Sequence, residues 1–186
     1  MIHKFDAKKA GILDDPGRAQ FLNPGNIIEK LKLTGEMVIA DLGCGTGFFS
    51  IPVSKRVKKV FALDIQQEML DILGNKIEKE KITNIETILS EESSIPLSDK
   101  SVDIILMVNV FHELEDKVSL LKEVKRVLNR KGRLVIIDWK KMEMDFGPPF
   151  EERLSEKDVI EICHGNGFTF LERSNAGPYN YLLIFS

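Results

Sequence analysis

The chain has 186 residues, 43% of them hydrophobic and 30% charged, with a formal net charge of −3. That length suits a single domain, and the balance of apolar and charged residues argues against a disordered chain. The slightly acidic charge gives no electrostatic case for dedicated nucleic-acid binding. The longest apolar stretch, Ile104 to Phe111, is interrupted by Asn109 and is far short of a membrane span. Cys44 and Cys163 stand in no CxxC, and with three histidines they form no zinc-ligand spacing, so no metal is expected. The stretch from Met1 to Asp6 leads into no apolar signal core, which makes the cytoplasm the default location.

In chain order, Asp15-Pro16 and Asn23-Pro24 each read as an N-cap followed by a first-turn proline, predicting two short helices before residue 34. Met37 to Ala40, ending in Asp41, suits a strand buried on both faces. A helix is predicted over Phe48–Lys55, in which Pro52 requires an early-turn position or a kink. Lys59–Leu63 is a second strand. Gln66–Lys79 is a helix with Met69, Leu70, Leu73 and Ile77 on one face. Strands follow at Ile85–Leu89 and Val102–Val108. A helix through Leu120, Leu121, Val124, Val127 and Leu128 is expected to stop at Asn129-Arg130-Lys131-Gly132, before a strand at Arg133–Asp138. Ser155 to Asp158 resembles a capping box, and Gly165 to Gly167 ends the helix it opens. Phe168–Glu172 and Tyr179–Phe185, joined without a helix, predict an antiparallel hairpin. Alternation of strands and helices before that predicts a doubly wound α/β sheet.

Chemistry concentrates in Asp41-Leu42-Gly43-Cys44-Gly45-Thr46-Gly47, a strand running into a glycine-rich turn and a helix start. Glycines allow close approach of a ligand to backbone, and a helix start presents unpaired N–H groups. The spacing is GxGxG, neither the GxGxxG of dinucleotide folds nor a phosphate loop ending in GK[ST]. A carboxylate at Asp41 repels a pyrophosphate and attracts an ammonium or sulfonium, which favours a cationic ligand such as S-adenosylmethionine. Asp64 ends the second strand, 21 positions after Gly43, where a carboxylate can accept ribose hydroxyls or cap the next helix.

These residues resemble the class I S-adenosylmethionine-dependent methyltransferases, and among them the small type 11 group that includes quinone-biosynthesis methyltransferases. The resemblance runs from about Thr34 to Phe185. It implies a Rossmann-like, seven-stranded sheet in the order 3-2-1-4-5-7-6 with strand seven antiparallel. Residues 34–186 then form the core of a single domain, and residues 1–33 a helical cover. S-adenosylmethionine would be bound at Asp41, Gly43, Cys44, Gly45, Asp64, Ile65, Glu91, Glu92 and Asn109, and S-adenosylhomocysteine released. In this likeness Asp64 holds the ribose, Ile65 packs on adenine, and Glu91, aligned through Pro96 and Asp103, meets the exocyclic amine. Glu91 replaces the commoner Asp and has a second acid beside it, so a solvated acidic loop is the competing reading.

Asn109-Val110-Phe111-His112-Glu113 follows the fourth strand at the carboxyl edge of the sheet. It is not Asn-Pro-Pro-Tyr or Asp-Pro-Pro-Tyr, which counts against methylation of nucleic-acid base amines. His112 is a candidate general base, and otherwise caps or orients the following helix. Asp138 and Trp139 are candidates for lining an acceptor pocket or for strand-end packing. Cys44 reads as a small packing residue, and the Lys55–Lys59 charge run as a solvated helix end. A small-molecule acceptor is expected between the residues before Asn23, the segment after Asn109 and the loop after Asp138. The rival readings are a catalytically silent S-adenosylmethionine-binding subunit and a nicotinamide oxidoreductase.

Overall fold

The computed structural model describes Phe5 and residues 7–186. Four residues of the expected cover and Asp6 lie outside that range. Seven strands form one sheet in the order β3-β2-β1-β4-β5-β7-β6. The strands are β1 Val38–Leu42, β2 Lys59–Asp64, β3 Ile85–Leu89, β4 Val102–Val108, β5 Leu128–Trp139, β6 Phe170–Asn175 and β7 Asn180–Phe185. The first five run parallel, whereas β7 is antiparallel to both β5 and β6. This is the sheet order and strand sense that the resemblance implies.

The helices are α1 Ala10–Leu13, α2 Arg18–Phe21, α3 Pro24–Leu31, α4 Ser50–Ser54, α5 Gln67–Glu80, α6 Lys117–Val127 and α7 Glu156–Gly165. Successive residues of a strand face opposite sides, so the apolar runs of the central strands feed two cores. Ile39, Val60, Ile104 and Val135 pack with Ile27, Leu31, Phe49 and Val53 of the α3–α4 side. Ala62 meets Leu70 and Leu73 of α5. Ala40, Leu63, Ile105 and Ile136 pack with Leu121 and Val124 of α6 and Val159 and Cys163 of α7. The strands β1 and β4 are neighbours, so the crossovers part between them and leave a crevice at their carboxyl ends.

Local chemistry accounts for most boundaries. Asn23 caps α3 by accepting from the Asn26 N–H at 3.3 Å, with Pro24 in the first turn. Pro52 sits in the first turn of α4, where it needs no hydrogen-bond partner. Ser155 and Asp158 form the reciprocal capping box of α7. Three expectations change. The segment before residue 34 holds three helices, preceded by a 3₁₀ turn at Ala7–Lys9. Asp15 caps no helix: its Oδ1 accepts from the Gly17 N–H at 2.7 Å, in the turn that leads into α2. Helix α6 stops at Val127, and Leu128 is already in β5. Residues 129–132 fill a register shift between Val102↔Leu128 and Ile104↔Arg133. The polar Asn129–Gly132 run therefore belongs to an irregularity in the strand, pinned where the Asn129 side chain donates to Asp103 at 2.8 Å.

Candidate functional site

A cavity of about 980 Å³ opens at the carboxyl ends of β1, β2, β4 and β5. That lies at the upper end of the range for small-molecule and cofactor pockets. Asp41, Gly43, Cys44, Gly45, Asp64, Ile65, Glu91, Glu92, Asn109 and His112 all line it. The fold thus brings every expected contact residue to one wall or another of a single space.

The glycine loop forms the floor. Backbone N–H groups of Gly43 and Cys44 both donate to Leu63 O, at 2.8 and 2.9 Å, which folds the loop back onto β2. Gly43 has φ +69°, and a Cβ there would stand 2.4 Å from Val110 Cγ2. Gly45 has φ +53°, and a Cβ there would stand 3.2 Å from Leu13 Cδ1 of the N-terminal segment. Both positions favour glycine for conformation, and Gly43 needs it for space as well. Cys44 is buried with its thiol raised well above its ordinary pKa by burial and by Asp41 and Asp64, so it is an inert packing group.

Two carboxylates flank the loop. Asp41 is buried and accepts from Ser50 Oγ at 2.5 Å. Burial, helped by the Asp64 charge, raises its pKa to about 6 against the Ser50 hydrogen bond and the Arg18 charge. Asp64 Oδ2 accepts from the Gly45 N–H at 2.9 Å, and Oδ1 accepts from the Gln66 N–H at 3.0 Å. Its pKa is also raised by burial, which outweighs those bonds. One carboxylate thus braces both the glycine loop and the turn before α5, but Asp64 is not that helix's cap, whose N-cap is Gln66. Ile65 is 40% exposed, an apolar side chain turned into the cleft beside it.

The remaining expected contacts are arranged less simply. Glu92 Oε1 accepts from the Glu115 and Asp116 N–H groups, at 2.5 and 3.4 Å, and so ties its loop to the start of α6. Glu91 is exposed and paired by its backbone with Ser94. Asn109 has φ +57°, and its Oδ1 accepts from Asn180 Nδ2 at 2.8 Å. His112 does not cap α6, whose N-cap is Asp116. Its Nδ1 lies 2.7 Å from Asp138 Oδ1, and its backbone N–H donates to Asp138 Oδ2 at 3.0 Å. Trp139 lines the cavity, whereas Asp138 stands behind His112 and is 1% exposed.

Sequence reasoning missed the residues that the N-terminal segment delivers. Asp14 Oδ1 accepts from Thr46 Oγ1 and Lys76 Nζ, each at 2.6 Å. The Arg18 guanidinium lies 4.3 Å over the Phe48 ring and lines the cavity. Burial lowers its pKa to about 10, with Asp14 and Asp41 opposing. At the far end, Phe146 packs against Phe21, Trp139 and Tyr179 with ring centroids 5.9, 6.0 and 4.7 Å away. Among the described residues, no three His, Cys, Asp or Glu side chains gather as a metal site, and no helix is long and apolar enough to cross a membrane.

Comparison with known proteins agrees with this geometry. A family model described as a methyltransferase domain, type 11, matches residues 40–136. A crystal structure of a SAM dependent methyltransferase from Aquifex aeolicus superposes with TM-score 0.93 at 38% identity, over 98% of each chain. An uncharacterized methyltransferase of Schizosaccharomyces pombe is 31% identical over 73% of this chain, and a demethylmenaquinone methyltransferase of Lactococcus lactis 35% identical over 57%. The chain spans 50% and 43% of the lengths of those two relatives. With the glycine loop, the paired carboxylates and the sheet order in agreement, the chain belongs to the type 11 methyltransferase domain family.

Proposed function

We propose that the protein transfers the methyl group of S-adenosylmethionine to a small-molecule acceptor and releases S-adenosylhomocysteine. The observation that carries this reading is the pair Asp41 and Asp64 flanking a glycine floor in which Gly43, Gly45 and Gly47 all have positive φ. The donor set fits the cofactor group by group. Asp64 offers acceptors for ribose hydroxyls, and exposed Ile65 an apolar face for adenine. Glu91 and the Glu92 backbone serve the adenine amine and ring. Asp41 suits the ammonium of the methionine part and Arg18 its carboxylate, opposite charges for opposite charges. Cys44 and Asn109 shape the wall between them.

S-adenosylmethionine supplies the methyl as an electrophile already attached to a good leaving group. The chain's work is positioning and exclusion of water. The N-terminal segment lies over the glycine loop through Leu13 and Asp14, and the residues past Asn109 and Asp138 close the opposite end. We read residues 1–33 as a cover on the core 34–186. A mostly apolar, aromatic-walled end and a net charge of −3 favour a small molecule over a polyanion.

Calorimetry with S-adenosylmethionine, S-adenosylhomocysteine and NAD tests the cofactor assignment. Binding of the first two and not of NAD is expected; NAD binding alone overturns it. Labelled methyl transfer into metabolite extracts and cellular macromolecules then distinguishes an enzyme from a silent binding subunit. Label confined to macromolecules would overturn the small-molecule assignment.

A further inference from the structure

Among the cavity-lining residues, His112 is held by a carboxylate that does not itself reach the cavity. Its side chain is 2% exposed and that of Asp138 1%, and their contact is 2.7 Å. Asp138 Oδ1 also accepts from the Trp139 N–H at 2.8 Å, and Oδ2 from the His112 N–H at 3.0 Å. The carboxylate is therefore fixed by two backbone donors, and its remaining contact is the imidazole. An ionised carboxylate cannot donate, so the proton between the two side chains sits on Nδ1 of the neutral ring. The tautomer leaves Nε2 as an acceptor on the ring edge away from Asp138, and His112 is among the residues that line the cavity. Nε2 is 3.7 Å from Glu113 Oε1, beyond hydrogen-bond distance.

We propose that His112 Nε2 is the catalytic proton acceptor for methyl acceptors bearing a weakly acidic hydroxyl, and that Asp138 is the positioning residue that sets its tautomer. This rests on the reading of the cleft as an S-adenosylmethionine site. Nε2 takes the O–H proton as the oxygen electron pair forms the new O–CH3 bond. The carbon–sulfur bond breaks with its electron pair left on sulfur, and the imidazolium returns its proton to water. A hydroxyl is one acceptor that needs such a base. A neutral amine attacks with a free pair and loses its proton afterwards, and a thiol near 8.5 ionises with little help, whereas phenolic hydroxyls sit near 10.

The surrounding charges set the working pH. Burial lowers the His112 pKa, but Asp138, by charge and hydrogen bond, together with Glu113 and Glu152, raises it above the ordinary 6.5. From α6, Lys117 faces the same carboxylate; burial lowers its own pKa, while Asp138 and Glu92 oppose that. From β7, Tyr181 lies opposite Asp138, with its hydroxyl donating to Leu154 O at 3.3 Å. Neutral His112, and hence transfer to a hydroxyl, therefore increases as pH rises through and beyond 6.5.

The test uses the full chain labelled with 15N-histidine. An Nδ1–H tautomer for His112 above its pKa is expected. An Nε2–H tautomer in the native protein overturns the proposal without any variant or acceptor. In Asp138→Asn the His112 titration should move to lower pH, and a titration that stays in place overturns the role of Asp138. Methyl transfer is measured with 2-naphthol and 2-naphthalenethiol as probes of one shape. His112→Asn should reduce transfer to the naphthol roughly 100-fold or more, the usual worth of a general base, and leave the thiol within a few fold. Equal loss on both probes, or none, overturns the proposal. Binding of S-adenosylhomocysteine is followed in parallel. If the native protein does not bind it, the cofactor reading fails; if binding persists and His112 is indifferent, only this inference fails.

Discussion

Thr46 Oγ1 donates to Asp14 Oδ1 across 2.6 Å, and through that bond the N-terminal segment is fastened to the glycine loop. Lys76 of α5 reinforces the junction by donating to the same Asp14 oxygen at 2.6 Å and to Thr46 O at 2.8 Å. Thr46 is buried, while Asp14 is partly exposed, so solvent screens part of the attraction.

Asp14→Ala should loosen this cover by about 1 kcal/mol, a typical worth for a partly exposed polar junction. Amides of residues 10–22 should then exchange several-fold faster while those of β1 and β4 stay protected. The affinity for S-adenosylhomocysteine should fall a few fold, because Leu13 and Arg18 line the cavity from the same segment. Unchanged exchange in residues 10–22 would show that the segment is held by other contacts.

Asp64→Ala should weaken cofactor binding by about 1.5–3 kcal/mol, the range for hydrogen bonds to a charged group. Gly45→Val should be at least as damaging. Its Cβ would press on Leu13 at 3.2 Å, and a β-branched residue is strained at φ +53°. Calorimetry on the folded variants decides. Unchanged dissociation constants in both would remove the nucleoside assignment.

How far these sites could be read in advance depended on sequence distance. The glycine loop and Asp64 were legible because strand, turn and acid lie within a short stretch and each residue type has a local reason. The closing hairpin was legible from two apolar runs with no helix between them; the full strand order came from the family resemblance. Asp14 and Arg18 were not legible, because their partners Thr46 and Asp41 are tens of residues away and no local pattern announces the contact. His112 and Asp138 were each visible as candidates, but only the alignment of the β4 and β5 ends joins them. The start of β5 was misread because Asn129 to Gly132 has the composition of a helix stop, while the β4 register decides otherwise.

As a residue of the proposed cofactor site, Asp41 gives binding a pH dependence with a definite sign. Its folded pKa of about 6 lies above the ordinary 3.8 of an aspartate, so the fold favours the protonated acid. That contribution to stability is complete below about pH 3.8 and is lost as pH rises through about 6. A bound ammonium or sulfonium favours the ionised form instead, so binding below pH 6 must release a proton. Affinity for S-adenosylmethionine should therefore rise about tenfold between pH 5 and pH 7 and then level off. In Asp41→Asn the rise should flatten. Titrations in buffers of different ionisation enthalpy check both points, and an equal slope in the variant would place the titrating group elsewhere.

Arg153 governs the loop at the proposed acceptor end. Its side chain is buried and donates from Nε to Pro148 O at 2.8 Å, from Nη1 to Met142 O at 2.5 Å and from Nη2 to Phe146 O at 2.9 Å. One guanidinium thus gathers three carbonyls of the segment between β5 and α7, and that segment carries Phe146, Gly147, Pro148 and Pro149 to the cavity wall. A lysine keeps the charge but cannot reproduce the planar fork. Arg153→Lys should leave at least one buried carbonyl without its donor, at a cost of about 2–3 kcal/mol in stability. The loosened loop should expose Lys140 and Lys141 to trypsin, with cleavage there rising before global unfolding. Phe146 would no longer be held against Phe21 and Trp139, so transfer to an aromatic probe such as 2-naphthol should show a raised KM. Affinity for S-adenosylhomocysteine should stay within twofold, since no cofactor contact is assigned to this segment. If the variant instead lost cofactor affinity while keeping its KM for the probe, the loop would have to be reassigned from the acceptor end of the cavity to the cofactor end.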